Sequence, residues 1–284
     1  MVITDERSLG QRLQASRQAA GLTQQELCQK AHISYSTLAK IERGAIRAPS
    51  VFTIHSLAEV LETSLDGLLG HSQAPAIRLP NGRSKSGVSF VYFDINGCLV
   101  RFFHRAFTKI AEDTGQPADM IETTFWHYND AVCRGEMPME EFNNVVAAQL
   151  KVPTIDWNKY YLDSVDPIPE MHDLVRWASE NYRIGLLSNI MPGLISEMMS
   201  RKLLPSLPYA SIIDSSQVGA IKPEKQIYEI AQQRAGVPGS EILLIDDART
   251  NLMAAEHFGW HVLWFDDFRP DESVSRVRQS LELA

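Results

Sequence analysis

Cysteine is scarce in this chain of 284 residues: there are three, Cys28, Cys98 and Cys133, an odd number without the paired short spacing of a metal site. A disulfide framework and a structural zinc site are both excluded as organising devices, and a reducing compartment is expected. Long apolar runs are lacking too. No stretch approaches the ~20 residues that cross a bilayer, and Met1 is followed by charged residues rather than an apolar signal core. A cytoplasmic protein without membrane association is the expectation. Internal repeats and low-complexity segments are absent. Positive charge is in deficit, with 27 Lys and Arg against 35 Asp and Glu and a formal net charge of -8. That balance argues against indiscriminate polyanion binding by the whole molecule.

The deficit is uneven. Residues 7–47 hold seven Lys or Arg against only Glu26 and Glu42, so the front of the chain is a local basic region suited to a nucleic acid. With 44% hydrophobic residues, the chain is too long for one ordinary domain and can bury two cores.

Residues 9–70 read as five short helices. Thr23 to Glu26 spells T-x-x-E, a capping box in which hydroxyl and carboxylate satisfy free amides at a helix start. Ser34, Ser50 and Ser64 are placed to cap later helices. Leu9, Leu13, Leu27, Ile33, Leu38, Ile41, Leu57, Leu61 and Leu68 recur at helical spacing and close one small core. Within TQQELCQKAHISYSTLAKIERG, two helices are joined by a tight turn at Ala31 to Ile33, the layout of a helix-turn-helix whose second helix enters the major groove. Leu38 and Ile41 then face inward and Tyr35, Ser36, Thr37 and Lys40 outward, while Gln24, Gln25, Arg12, Arg17 and Arg43 are in reach of phosphates or base edges. A helical module for protein contacts would use the same polar face as solvated surface, and that alternative stays open.

LGQRLQASRQAAGLTQQEL, ISYSTLAKIERG, the following PS and the closing SLDGLL together resemble the Cro and phage-repressor (XRE) type of helix-turn-helix over residues 8–70. The resemblance implies binding to a double-stranded DNA operator. One such module is small, so a homodimer reading two half-sites is expected. His32 stands where that family commonly has Gly, which predicts a slightly altered turn.

Residues 71–87, HSQAPAIRLPNGRSKSG, are rich in Pro, Gly and small polar residues and read as a linker. Behind it, the β-rich runs VSFVYF, YRIGLL, ASIID, EILLID and HVLWF alternate with helical segments, the pattern of a parallel sheet with helices on both faces. The long helical stretch between the first two runs exceeds a plain crossover and reads as a cap. The expectation is therefore a multidomain protein: an all-α helix-turn-helix domain over residues 1–72, a linker over 73–87, and an α/β, Rossmann-like domain over 88–284 with an inserted α-helical cap at approximately 102–178.

Four signals fall at strand ends, where open parallel sheets place their ligands: Asp94, Ser188-Asn189, Lys222 in GAIKPEKQIYE, and Asp246-Asp247. Asp94 is a carboxylate able to attack phosphorus, and Asp94 and Asp246 are hard oxygen ligands suited to Mg²⁺. Ser188, its neighbouring amides and Lys222 suit phosphoryl oxygens. In this order the signals resemble the haloacid dehalogenase-like (HAD) superfamily over residues 88–270, in its form with a cap after the first motif; KPEKQIYEIA and LLIDDARTNLMAAEHFGW are similar to sugar-phosphate phosphatases of that group. The resemblance implies Asp94 as nucleophile, Mg²⁺ held by Asp94, the main-chain carbonyl of Asn96 and Asp246 with Asp247 acting through water, and phosphate held by Ser188, Asn189 and Lys222.

The sequence departs from that pattern at FDINGCLV. The second Asp that protonates the leaving group and later activates water is Asn96 here, and an amide performs neither transfer at neutral pH. Three readings are open: another group such as His104 substitutes, Asp94 takes a phosphoryl group from a donor whose leaving group needs no proton, or the site binds phosphate without chemistry. Asn96-Gly97 is also a deamidation-prone pair whose conversion would regenerate the usual motif. In the cap, Phe125 and Trp126 of FWHY read as packing residues with a sugar platform as the alternative, Arg134 precedes GEM, and Cys98 reads as filler behind the loop. The functional expectation is a DNA-binding transcriptional regulator whose back domain binds, and slowly hydrolyses, a phosphorylated small metabolite. The alternatives are a Mg²⁺-dependent phosphatase that the helix-turn-helix localises or oligomerises, and a scaffold with a vestigial pocket.

Overall fold

A computed structural model describes residues 9–46, 49–61, 63 and 80–282, and the chain divides into two compact units, Met1–Arg78 and Leu79–Ala284. The expected cap residue Ser64, the core residue Leu68 and the SLDGLL segment lie outside the described residues.

In the first unit, α1 (Leu9–Ala19), α2 (Gln24–Ala31), α3 (Tyr35–Glu42) and α4 (Val51–Val60) surround one core. Thr23 and Glu26 form the reciprocal capping box at the start of α2, while Ser34 and Ser50 cap α3 and α4 by accepting from Thr37 and Thr53 amides. Each such cap is worth about 1 kcal/mol. Leu13, Leu27, Leu38, Ile41, Ile54 and Leu57 are buried together, with Leu9 and Ile33 at the margin. Gly10 is required: a Cβ there would lie 2.3 Å from the Ile41 carbonyl oxygen and 2.6 Å from that of Glu42, so its absence lets α1 pack on the end of α3.

The second unit is built on five parallel strands, β1 (Phe90–Phe93), β2 (Arg183–Ser188), β3 (Ser211–Asp214), β4 (Ile242–Asp246) and β5 (His261–Trp264), in the order β3-β2-β1-β4-β5. The five β-rich runs of the sequence are these strands. The central strands β1, β2 and β4 read as near-continuous apolar runs because both of their faces are covered. Val91, Phe93, Leu186 and Ile245 face one cluster, and Phe90, Tyr92, Leu187 and Leu244 the other. Each such fully buried side chain contributes about 1.5–3 kcal/mol.

One face carries α9 (Pro169–Asn181), α10 (Leu194–Ser200) and α14 (Pro270–Ser280); the other carries α12 (Lys225–Ala235) and α13 (Arg249–His257). Between β1 and α9, four helices form the inserted layer: α5 (His104–Thr114), α6 (Ala118–Cys133), α7 (Met139–Leu150) and α8 (Trp157–Leu162). The chain enters and leaves this cap along two antiparallel segments bridged at Val100 and Pro167 and tied by Arg101 N–H to Asp166 O at 2.8 Å and Ile168 N–H to Leu99 O at 2.9 Å.

Residues 80–87 belong to the second unit and are tied into it. Gly82 N–H donates to Asn181 O and Lys85 N–H to Glu282 O, while Ser84 is buried and its hydroxyl accepts from Val88 N–H.

Candidate functional site

Because β1, β2 and β4 are adjacent and parallel, their C-terminal ends deliver Asp94, Ser188 and Asp246 to one spot. The loop after the short helix α11 (Ser215–Val218) adds Lys222. Its Nζ lies 2.5 Å from Asp246 Oδ2 and 3.0 Å from Asp94 Oδ1. All four are buried. The reciprocal bonds of Asn189 hold Lys222 in place: Nδ2 donates to Lys222 O at 2.8 Å and Oδ1 accepts from Lys222 N–H at 2.7 Å. The Asn189 side-chain oxygen and one of its amide hydrogens thus hold the Lys222 backbone. Sequence reasoning missed Asn251, whose Nδ2 donates to Asp246 Oδ1 at 3.1 Å. Its only signal was a position in the first turn after Asp246-Asp247.

Carboxylate oxygens of Asp94, Asp246 and Asp247 lie within 4.8 Å of one another. Close approach of Asp247 depends on Gly97, which has φ +79°; a Cβ there would fall 2.2 Å from Asp247 Oδ2. Burial, opposed by Lys222 and reinforced by Asp246, pushes Asp94 up to about 6. Burial and the charges of Asp94 and Asp246 push Asp247 up to about 7. Lys222 stays charged despite its burial, since the two carboxylates hold its pKa above the usual range.

The cluster therefore holds three carboxylates against one ammonium. Asp94 Oδ1, badly angled toward Lys222, and Ser188 Oγ are buried without a hydrogen-bond partner. The Asn96 main-chain carbonyl accepts no backbone hydrogen bond among the described residues. Surplus carboxylate oxygen fits a divalent cation, and an orphan hydroxyl beside a buried ammonium fits an anionic oxygen.

The Asn96 side chain is buried, and Tyr161 of α8 donates its hydroxyl to Asn96 Oδ1 at 2.5 Å. Burial raises the Tyr161 phenol well above its ordinary range. Tyr161 is a second residue that sequence reasoning missed. A cavity of about 20 Å³ lies beside this pair, lined by Asn96, Asn129, Asn189, Cys133, Tyr161 and otherwise apolar side chains from the cap and the core. His104 does not line it: the residue is exposed, its ring 4.6 Å from that of Phe102. Phe125 is buried within the aromatic cluster of the cap, whereas Trp126 is 44% exposed. Arg134 bonds to Glu224 of the core, with Nε at 2.9 Å. Cys98 is buried with its thiol pKa pushed up by burial, the condition of inert filler.

In the first unit, Gln25, Tyr35, Ser36, Lys40 and Arg43 are exposed and Thr37 is partly so. Ser36 and Thr37 share the Ser34 hydroxyl at 3.1 and 2.7 Å, and Arg43 Nε returns to Ala39 O at 3.0 Å. Arg17 and Gln24 depart from their expected outward role. Arg17 is buried and pairs with Glu42 through Nε at 2.7 Å and Nη2 at 3.1 Å, and Gln24 Nε2 donates to the same carboxylate at 2.7 Å. A buried Glu42 needs these donors, so they brace α1 and α2 against α3. His32 adopts the left-handed conformation, φ 52° and ψ 40°; the turn keeps the backbone shape a glycine would give it.

A helix-turn-helix family pattern matches residues 13–68, and the pattern of the haloacid dehalogenase-like hydrolases matches residues 89–259. Pyrimidine 5'-nucleotidase YjjG of Escherichia coli (strain K12) is 23% identical over 185 residues, 62% of this chain and 81% of that protein. An (S)-2-haloacid dehalogenase of Pseudomonas sp. (strain YL) is 27% identical over 128 residues, and the match covers 41% of this chain and 54% of that relative. Among solved structures, a HAD-like family hydrolase from Porphyromonas gingivalis has a TM-score of 0.55 at 21% identity, covering 68% of this chain and 98% of its own. A HAD family enzyme from Bacteroides thetaiotaomicron, in complex with magnesium and inorganic phosphate, has a TM-score of 0.50 at 19% identity, covering 63% of this chain and 94% of its own. These likenesses establish a shared fold. The chain belongs to the haloacid dehalogenase-like hydrolases and carries a helix-turn-helix domain in front of that fold.

Proposed function

We propose that the protein is a cytoplasmic, DNA-binding transcriptional regulator whose HAD unit binds a phosphorylated small molecule and takes up its phosphoryl group on Asp94. The observation that carries this reading is the buried cluster of Asp94, Asp246, Asp247 and Lys222 beside the unpartnered Ser188 hydroxyl. Buried polar atoms without partners cost about 1–3 kcal/mol each, a cost that a bound phosphoryl group and cation would relieve.

In this reading Asp94, Asp246, Asp247 and the Asn96 carbonyl hold Mg²⁺, which when bound offsets the negative charge that carboxylates and phosphoryl oxygens bring together. Ser188 Oγ and Lys222 Nζ orient the phosphoryl group, and Asn189 and Asn251 keep Lys222 and Asp246 aligned for it. Asp94 attacks phosphorus. On the first unit, Gln25, Tyr35, Ser36, Thr37, Lys40 and Arg43 face the DNA, and a homodimer reads two half-sites of an operator.

The test is thermal stability of the full chain with inorganic phosphate and Mg²⁺, followed by operator binding with and without them. Stabilisation that needs both Lys222 and Ser188, together with a change in operator affinity, is the expected result. Stabilisation without any change in DNA binding, accompanied by Mg²⁺-dependent release of phosphate from phosphomonoesters, would make the helix-turn-helix a localising or oligomerising module of a phosphatase instead.

A further inference from the structure

We infer that the phosphoryl donor is an acyl phosphate or a similar mixed anhydride, and that the product is a persistent aspartyl phosphate on Asp94. This rests on the reading of Asp94 as a phosphoryl acceptor and names the donor class for that same site.

The departure of the leaving group decides between donors. An alcohol released from a phosphomonoester leaves as an oxyanion nearly as basic as hydroxide, and water itself has a pKa of about 15.7; a carboxylate leaving an acyl phosphate has a pKa of about 4, like Asp or Glu. The first needs a proton in the transition state, and the second does not. In this proposal the leaving group departs into the cavity beside the Asn96 side chain, whose lining is three amides, Asn96, Asn129 and Asn189, one thiol, one phenol and apolar groups. It has neither a carboxylic acid nor an imidazole. Burial pushes the Cys133 thiol up to about 12, and the Tyr161 phenol already spends its proton on Asn96 Oδ1. That hydrogen bond leaves the Asn96 NH₂ group as a donor of hydrogen bonds but not of a proton.

Size points the same way. The cavity of about 20 Å³ has room for little more than one water, and the buried rings of Phe103, Phe125 and Trp157 line it. A small acyl group suits such a space better than a sugar.

The step balances without a proton. An Asp94 carboxylate oxygen bonds to phosphorus, the bond from phosphorus to the acyl oxygen breaks, and its electron pair leaves with the carboxylate. Hydrolysis of the resulting mixed anhydride requires a base to activate water. Asn96 cannot serve, and Asp247, whose carboxylate lies within 4.8 Å of that of Asp94, is committed to the cation in this reading, so the phosphoryl group stays.

The full-length protein with Mg²⁺ would be incubated with acetyl phosphate or with glycerol phosphate, and phosphoprotein followed by intact-protein mass spectrometry and peptide mapping of residues 88–101. Acetyl phosphate is expected to label Asp94 at least about 10²-fold faster, since general acid assistance is typically worth about 10²–10⁴-fold. Asn96→Asp is expected to narrow that ratio and to release phosphate. Equal labelling by both donors, labelling that survives Asp94→Asn, or an unchanged ratio in Asn96→Asp would each overturn the inference. If inorganic phosphate stabilises the protein but neither donor labels it, the donor class falls and a phosphate-binding site remains. If phosphate also fails to stabilise it, the underlying reading falls with it.

Discussion

Replacing Asp94 by Asn should make the metal-free protein more stable, and more so at alkaline pH. Asp94 sits in the fold with its pKa raised from 3.8 to about 6. The folded state therefore holds this proton more tightly than the unfolded chain does, so stability falls as pH rises from 3.8 to about 6 and the deficit is complete above that. At about 1.4 kcal/mol per unit the deficit is about 3 kcal/mol. The attraction of Lys222 is already included in that figure, and Lys222 keeps Asp246 as a partner at 2.5 Å after the change. Asp94→Asn removes the disfavoured charge while preserving shape, for a gain of about 3 kcal/mol at pH 8 that shrinks below about 1 kcal/mol at pH 4. For a unit of this size, 3 kcal/mol corresponds to about 6–12 °C in Tm. Trp126, Trp157, Trp177, Trp260 and Trp264 all lie in the second unit, so tryptophan fluorescence during thermal unfolding in EDTA reports on that unit. A variant less stable than the parent at pH 8, or a gain equal at both pH values, would refute the reasoning.

His32→Gly should stabilise the first unit by about 1 kcal/mol, the cost of holding a Cβ in the left-handed conformation; slower amide exchange in peptides spanning residues 24–42 is the expected signature, and unchanged exchange would argue against strain there. Deamidation at Asn96-Gly97 should be slower in the folded protein than in the unfolded chain by at least about tenfold, which about 1.4 kcal/mol of local opening supplies. Gly97 N–H is tied to Val100 O at 2.8 Å and Asn96 Oδ1 to Tyr161, and peptide mapping after mild alkaline incubation gives both rates.

The sheet was legible because its central strands are buried on both faces, which writes them as apolar runs such as EILLID. Asp94, Ser188, Lys222 and Asp246 were legible for a related reason: each follows a strand or its adjoining loop, and parallel strands bring such ends together. Tyr161 was not. It lies 65 residues from its partner Asn96, in a helix where an aromatic at that spacing looks like core, and core is indeed what most of its ring is. Arg17 and Gln24 were misassigned for a comparable reason. Their polarity suggested a nucleic-acid face, but Glu42, 25 residues beyond Arg17, is carried inward by the turn of α3 and must be paired there. Pairing across the fold is invisible to local pattern; only residues whose role is set by their own strand or helix end could be read in advance.

The short stretch before β1 has a consequence for how such a chain can be assembled. Ser84 bonds to Val88 and Lys85 to Glu282, while Tyr182 of the adjoining helix end donates to Leu281 O. The first and last described residues of the HAD unit are thus stitched together at the end of the sheet where β1 begins, opposite the strand ends that carry Asp94. A unit whose two tails emerge side by side, away from its pocket, is a cassette. A domain joined at either tail therefore needs no path through the cap, and the sheet with its strand-end cluster of Asp94, Asp246 and Lys222 is kept whole whatever is joined to it.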